Sequence, residues 1–517
     1  MATTHLTQAL HCAARQHPDR IATIFGGRRR TYAQVADRVA RFAAALRQVG
    51  VSPGDRVGIL SLNSDRYLES YFAIWWAGSV VNPANIRWSP REIAYSLDDC
   101  DTHILIVDEQ FAGIVPELME RSRSLRTIIY AGDAEPRSGM FAYEQLIAEQ
   151  RPIADAMRCN DDLAGVFYTG GTTGMPKGVM LSHANLCFGS MVAVAEGIAT
   201  DGDIALHAAP MFHLADGMFL LATALRACTQ VIVPTFQPEA VLDAIQRERV
   251  SAALLVPTMI QMLVDHPRLP EFKLDSLRLV VYGASPISEA LLDRAFARLP
   301  NANFLQCYGQ TELSPIATVL TPAAHRARHK LRSAGRPAAG VEVRIVAPDG
   351  REQAQGSVGE IAVRSGGVMR AYWNNPAQTA AAIKDGWMHT GDGAYMDDEG
   401  YVFIVDRVKD MIVSGGENVY SAEVENALAQ HPAVASCAVI GIPDARWGEA
   451  VHAVIVCKPG ASASVDDLKA HCKTLIASYK CPRSVEFCDA LPLSGAGKIL
   501  KTVLREPYWK DLQRRVG

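Results

Sequence analysis

The chain has 517 residues, a mass of 56.0 kDa and a formal net charge of −4, from 51 Lys plus Arg against 55 Asp plus Glu. That balance leaves no domain-wide basic footprint for a phosphate backbone, so nucleic acid is not an expected partner. With 49% hydrophobic and 21% charged residues, the composition also excludes a mostly disordered chain, a collagen-like repeat and a disulfide-dense mini-protein.

Thr31 and Gln34 form a capping box. Val35, Val39, Phe42, Leu46 and Val49 follow at helical spacing, and Gly50 with Pro53 supplies the stop. The run Arg28, Arg29 and Arg30 ahead of that helix reads as a solvated loop. Residues 56–61 read as a short buried strand, 64–77 as a helix closed by Gly78, and 79–81 as another strand. This alternation continues to about Val319 and predicts α/β layers with a mostly parallel sheet. From 340 to 364 the period changes to strict alternation around Pro348-Asp349-Gly350, the character of a hairpin or small barrel. A tight hairpin follows at 397–400. From about Lys409 a separate small α/β unit begins, with a helix near 421–430, strands near 435–440 and 451–456, and a helix starting near Asp466.

Eleven cysteines run from Cys12 to Cys488 without a CxxC pair or zinc-finger spacing, the pattern of reduced thiols in a cytosolic protein. The N-terminal MATTHLTQAL has no basic region followed by an apolar one, so no signal peptide is expected. The apolar run 217–225, closed by Asp216 and Arg226, falls well short of the ~18 residues a membrane span needs. The final QRRVG is neither a prenylation box nor a peroxisomal tripeptide. A cytoplasmic protein without a transmembrane segment is the expectation.

The most informative segment is Tyr168-Thr-Gly-Gly-Thr-Thr-Gly-Met-Pro-Lys-Gly178, which follows an apolar strand-like run. Its glycines let backbone N–H groups approach an anion, its threonines add hydroxyl donors, and Lys177 adds charge. A Walker P-loop fails on spacing, because Pro176 precedes Lys177 where glycine is required. Gly497-Lys498 fails likewise, with Pro492 in the first glycine position and Ile499 in place of Ser or Thr. The dinucleotide spacing GxGxxG is absent from the segment.

Further blocks follow in order: Pro210-Met-Phe-His213, Tyr282-Gly-Ala-Ser-Pro286, Tyr308-Gly-Gln-Thr-Glu312, Trp387-Met-His-Thr-Gly-Asp392, Asp406-Arg-Val-Lys-Asp410, Ser414-Gly-Gly-Glu-Asn-Val-Tyr420 and Leu491-Pro-Leu-Ser-Gly-Ala-Gly-Lys498. The whole series resembles the motif set of the adenylate-forming superfamily of acyl- and aryl-CoA synthetases, adenylation domains and luciferase, and it spans essentially the entire chain. The resemblance implies an α/β fold in two parts. Residues 1–407 would form a large N-terminal adenylating domain of layered α/β sheets plus a small β-barrel. Residues 408–517 would form a small mobile C-terminal α/β lid carrying the catalytic lysine.

It also implies the chemistry. A carboxylic acid attacks the α-phosphorus of ATP to give acyl-AMP and pyrophosphate; CoA then displaces AMP to give a thioester. Two anions meet in the first step, so fixed positive charge and Mg²⁺ are needed. On the matching positions, Lys498 bridges acid and α-phosphate, and Glu312 holds Mg²⁺, a hard cation suited to carboxylate oxygen. Thr169, Gly170, Gly171, Thr172, Thr173, Gly174 and Lys177 hold phosphates. Gly283, Ala284 and Ser285, with Tyr308, Gly309, Gln310 and Thr311, bind the nucleotide, and Asp392 and Arg407 hold the ribose. Lys409 is the hinge, where a polar residue suits a mobile, exposed position. Gly415 and Gly416 face the pantetheine arm of CoA. His213, which stands with the catalytic set, lines the acid pocket with Gly217, Val256, Tyr282 and Gly309. A homodimer is carried over as a family-level expectation.

Two departures stand out. Gly170 replaces a frequent Ser, as in some fatty acyl-CoA synthetases, and Ser421 replaces a frequent Pro where it still caps a helix. The small residues Gly217, Ala284 and Gly309 leave room for more than acetate, and the pocket stretches contain no Arg or Lys to pair with a second carboxylate. A medium or long fatty acid and an aryl or arylpropenoic acid both stay open, with the resemblance leaning toward fatty acyl-CoA ligases. Two rivals are weighed: an enzyme loading a carrier protein, and a non-catalytic sensor, which the presence of Lys498, Glu312, Asp392 and Arg407 disfavours. His213-Leu-Ala-Asp216 is one residue short of the HxxxD acyltransferase motif.

Overall fold

The computed structural model describes residues 4–169, 175–407, 410–414, 417–444, 446–494 and 498–510. Gly170, Gly171, Thr172, Thr173, Gly174, Lys409, Gly415 and Gly416 therefore lie outside the described residues.

Two large sheets build the first part of the chain. In the eight-stranded one, Val80–Pro83, Arg56–Leu60, Thr102–Val107 and Thr127–Tyr130 are parallel, joined by helices Asp65–Trp76, Pro90–Asp99 and Val115–Arg121. In the nine-stranded one, Ile204–His207, Ala252–Leu255, Leu279–Gly283 and Asn303–Tyr308 run parallel in spatial order. The apolar runs of these strands are those of sheets covered on both faces. Helices His183–Ala195 and Leu214–Leu225 pack on each other, and their residues join the largest core cluster.

The smaller units follow the period changes in the sequence. Glu342–Val346 and Gly359–Arg364 pair antiparallel within a five-stranded sheet that also holds Trp387–Met396 and Val402–Arg407. The last unit is a second five-stranded sheet, with Gly448–Cys457 at its centre and Val434–Asp444 along its edge. Helices Ser421–Ala429 and Val465–Leu475 pack on it, around a separate core that includes Val424, Leu428, Val439, Val451 and Leu468. The Thr31 capping box forms as read, opening helix Tyr32–Gln48.

The three arginines before that helix are not a solvated loop. They form strand Arg28–Thr31 at the sheet edge, paired with Ile21–Phe25. Arg28 donates through Nε and Nη2 to both oxygens of buried Asp65, at 3.0 and 2.9 Å, and Arg30 also pairs with Asp65. Arg29 pairs with Glu248. Burial alone would raise the Asp65 carboxyl, but the two guanidiniums outweigh it and hold the pKa below its ordinary value. Arg28 and Arg30 are thus the complement of acidic residues that helix Asp65–Trp76 takes into the interior, while the exposed Arg29 reaches Glu248 at the end of another helix. Removing one member of such a network strands the others without water. Asp65→Ala is expected to cost about 3–5 kcal/mol, read as a lowered unfolding midpoint; a shift worth under about 1 kcal/mol would mean the pairs behave as surface ion pairs.

Candidate active site

Strand Leu163–Thr169 turns back into antiparallel strand Lys177–Ser182, with Thr169 opposite Lys177. The two strands therefore pair as neighbours in the sequence, and Lys177 stands at the start of the second. The Lys177 ammonium lies 5.3 Å from the centroid of the Tyr372 ring, a cation–π distance. The Tyr372 hydroxyl donates to Glu312 Oε1 at 2.8 Å. Glu312, only 9% exposed, sits in the short turn Thr311–Leu313. Burial, with the Glu312 carboxylate beside it, pushes the Tyr372 hydroxyl well above its usual range, so it stays a donor. One aromatic ring thus links Lys177 to Glu312. Tyr372 has no signal in the sequence, because its partners come from distant segments.

Strands Leu279–Gly283 and Asn303–Tyr308 are parallel neighbours. Gly283, Ala284 and Ser285, and the segment from Tyr308 through Thr311, therefore gather at the carboxyl ends of adjacent strands, where open α/β sheets offer a crevice. The glycines there are demanded by close backbone. A Cβ on Gly283 would stand 2.2 Å from the Cys307 carbonyl oxygen, and one on Gly309 would stand 1.8 Å from that of Pro315. Ala284 holds φ of +67°, a left-handed conformation that costs a non-glycine residue energy and marks a constrained turn. Tyr308 donates to Asp392 Oδ2 at 2.7 Å, and the Gln310 amide donates to the same oxygen at 3.1 Å and to the Thr390 carbonyl at 2.7 Å. Asp392 pairs with Arg407 in backbone register. The strand containing Asp392 is thereby tied to the crevice.

Tyr282 and Val256 sit differently from the pocket reading. The Tyr282 ring is buried in a core cluster, with its hydroxyl 2.9 Å from His325 Nε2. Val256 lies in the same cluster, as N-cap of helix Pro257–Val264. Their side chains serve packing.

His213 caps helix Leu214–Leu225, its Nδ1 accepting from the Ala215 N–H at 3.3 Å. Burial, and secondarily the charge of Lys498, push its pKa down to about 3. The ring is therefore neutral, and with Nδ1 accepting, its proton resides on Nε2. Lys498 is held in a tight loop: Ser494 N–H donates to the Lys498 carbonyl at 2.6 Å, and Lys498 N–H donates to Ser494 Oγ at 3.1 Å. One turn beyond His213, a Cβ on Gly217 would meet nothing closer than 3.8 Å. A small apolar crevice of about 10 Å³ lies there, walled by Tyr71, Trp75, Phe167, Leu186, Leu214 and Gly217, among others. Asp216 faces elsewhere, its Oδ2 2.9 Å from Nδ1 of fully buried His207, so it offers His213 no partner for an acyltransferase pair.

His183 and His325 are, like His213, held neutral by burial, each with a pKa lowered to about 4. All three fall below the ordinary value of 6.5, so the unfolded chain binds these protons more readily. Their contribution is complete above pH 6.5 and is lost as pH falls from there toward 4. The unfolding midpoint is expected to drop across that interval, and His325→Gln, which keeps a polar partner for Tyr282, should flatten the slope. An unchanged slope would show that His325 does not titrate this way.

Among the described residues, no helix is long and apolar enough to cross a membrane, and all eleven cysteines are free. Two family models match the chain: AMP-binding enzyme over residues 10–373, and AMP-binding enzyme C-terminal domain over residues 423–498. The chain belongs to the AMP-binding, adenylate-forming enzymes. Within that family it is an AMP-forming acid–thiol ligase, an ATP-dependent enzyme that joins carboxylic acids to CoA through an acyl-adenylate. It is 42% identical over 496 residues to a feruloyl-CoA synthase from Amycolatopsis sp, covering 96% of this chain and 97% of the relative. It is 37% identical over 523 residues to the fatty acid–[acyl-carrier-protein] ligase ScoC of Streptomyces coeruleorubidus, covering 99% and 98%. The solved anthranilate CoA ligase AuaEII, in complex with anthranoyl-AMP, superposes with a TM-score of 0.91 at 26% identity, covering 98% of this chain and 97% of that one.

Proposed function

We propose that the acid is an aryl or arylpropenoic acid. The observation that carries this is the aromatic, uncharged lining of the crevice at Gly217, where Tyr71, Trp75 and Phe167 come together. A flat ring stacks favourably against aromatic side chains, and the lining offers no second charge. The feruloyl-CoA synthase relative and the anthranilate CoA ligase neighbour support the same reading.

In the first step a carboxylate oxygen of the acid bonds to the α-phosphorus of ATP as the bond to pyrophosphate breaks. Lys498 neutralises the two approaching anions, and neutral His213 walls the acid without adding charge. Thr169, Gly170, Gly171, Thr172, Thr173 and Gly174 wrap the phosphates, with Lys177 toward the departing pyrophosphate. Gly283, Ala284, Ser285, Gly309, Gln310 and Thr311 hold the adenine side; Asp392, oriented by Tyr308 and Gln310, and Arg407 hold the ribose. The donor set fits Mg²⁺: Glu312 is a nearly buried carboxylate with one oxygen engaged by Tyr372. Bound there, the ion would offset phosphate charge. In the second step the lid, residues 408–517, turns about Lys409 and brings Gly415 and Gly416 against the pantetheine arm. The thiol sulfur bonds to the carbonyl carbon, AMP leaves with the carboxylate oxygen, and the thiol proton goes to solvent. We assign the enzyme to the cytoplasm, in keeping with its free thiols, and carry a homodimer as the assembly to test by light scattering.

The test is AMP release with CoA and Mg-ATP over a panel of benzoates, cinnamates and short, medium and long fatty acids. Cinnamates or benzoates should give the highest kcat/KM, and Gly217→Ala should lower it for ring acids by about tenfold relative to short-chain acids. A clear optimum at long fatty acids would overturn the aryl assignment. The ScoC relative supports a second acceptor, the phosphopantetheine of a carrier protein. Thioester formed on a carrier but never on CoA would favour it.

A further inference from the structure

Two hydrogen bonds join the lid unit to the large domain among the described residues. Arg87 Nη1 donates to the Ser494 carbonyl at 2.8 Å, and Gln261 Nε2 donates to the Ala435 carbonyl at 2.9 Å. Both donors are side chains of the large domain, and both acceptors are lid backbone. They therefore read where the lid is rather than which side chains it carries. Ser494 belongs to the loop that presents Lys498, bonded to it twice. A hold on the Ser494 carbonyl is thus a hold on the catalytic lysine.

Both donors stand on fixed ground. Arg87 lies between strand Val80–Pro83 and helix Pro90–Asp99, its N–H donating to Asn85 Oδ1 at 3.0 Å. The Ser89–Glu92 capping box sets the turn that follows. Gln261 lies within helix Pro257–Val264, one face of which is buried in the core. Arg87 contacts the lid at the loop of Lys498, and Gln261 contacts it just inside strand Val434–Asp444.

We propose that Arg87 and Gln261 are latches that hold the lid in the position for adenylate formation and must release it before thioester formation. This rests on the two-step reading above. Neither residue touches reacting atoms in this account; both are positioning residues. A ligand-free bias toward one lid position raises the fraction of molecules with Lys498 in place, and so the apparent rate of the first step alone.

The experiment measures the half-reactions separately, with hydrogen exchange as a readout independent of activity. Adenylate formation is followed from acid and Mg-ATP without CoA, and thioester formation from supplied acyl-AMP and CoA. Arg87→Met and Gln261→Leu keep the stems and remove the donors. Each should slow adenylate formation by about 5- to 30-fold, leave thioester formation unchanged or faster, and accelerate amide exchange in the 491–500 segment or near 435, respectively. Arg87→Lys, which restores a donor, should recover part of the loss. Equal slowing of both steps, slowing of thioester formation alone, or unaltered exchange would overturn the latch. Wild-type enzyme that forms no adenylate from any acid would instead sink the two-step reading, while the exchange result would still decide the latch.

Discussion

Lys498→Ala is expected to slow adenylate formation by roughly 10²- to 10³-fold while thioester formation from supplied acyl-AMP stays within a few-fold of wild type. The asymmetry follows from charge. The first step brings a carboxylate toward a polyphosphate, and preorganised positive charge in a water-poor site is worth most there. On the acid side, His213 cannot substitute, because burial and Lys498 itself keep its pKa near about 3 and its ring neutral. In the proposed mechanism Lys498 supplies the fixed charge, with its backbone bonded twice to Ser494. The second step has a neutral carbonyl as electrophile and AMP as leaving group, and in the proposed mechanism the lid turns before it. Rapid-quench measurement of the two half-reactions checks this. Equal losses in both steps would mean that the lysine supports the fold of the lid rather than adenylation.

Gly309→Ala is expected to lower adenylate formation by about 10²-fold and stability by about 1–3 kcal/mol. The new methyl would lie 1.8 Å from the Pro315 oxygen and 2.7 Å from its carbonyl carbon, both backbone atoms that no rotamer change can move. The backbone has little room to retreat, since the Ala317 N–H donates to the Tyr308 carbonyl at 2.8 Å. The loop must open, and it carries Tyr308, which orients Asp392, and Glu312, which Tyr372 holds. Kinetics with an unfolding curve separate the two effects. Near-normal adenylation would show that the loop relaxes without moving Asp392 or Glu312. Gly217→Ala is the steric contrast for the fold, since a methyl there meets nothing closer than 3.8 Å.

Much of the candidate site was legible because it is built from short contiguous segments. Tyr308 through Glu312 is one turn at a strand end, and its glycine is required by local backbone, so the motif and the geometry report the same constraint. The capping box at Thr31 and the hairpin at 397–400 were legible for the same reason. What escaped the sequence depends on partners far away along the chain. Arg28 and Arg30 read as solvated because Asp65, which takes them inward, lies in a separate helix further along the chain. Tyr372 gives no sign of reaching Glu312, nor Arg87 of reaching Ser494. The place of Tyr282 in a glycine-rich block points to the pocket, yet strand alternation turns its ring into the core toward His325. Alternation tells which neighbours share a face, but the face that meets the ligand is set by tertiary packing.

The central claim is that a carboxylate oxygen bonds to the α-phosphorus of ATP. The most direct measurement uses the best acid from the panel with both carboxylate oxygens replaced by ¹⁸O, turned over with Mg-ATP and CoA, and mass spectrometry of the nucleotide product. Transfer through acyl-AMP predicts AMP carrying one ¹⁸O in its phosphate, unlabelled pyrophosphate, and one ¹⁸O retained in the thioester. Unlabelled AMP, or ADP with label in inorganic phosphate, would contradict adenylation and point to attack on a different phosphorus.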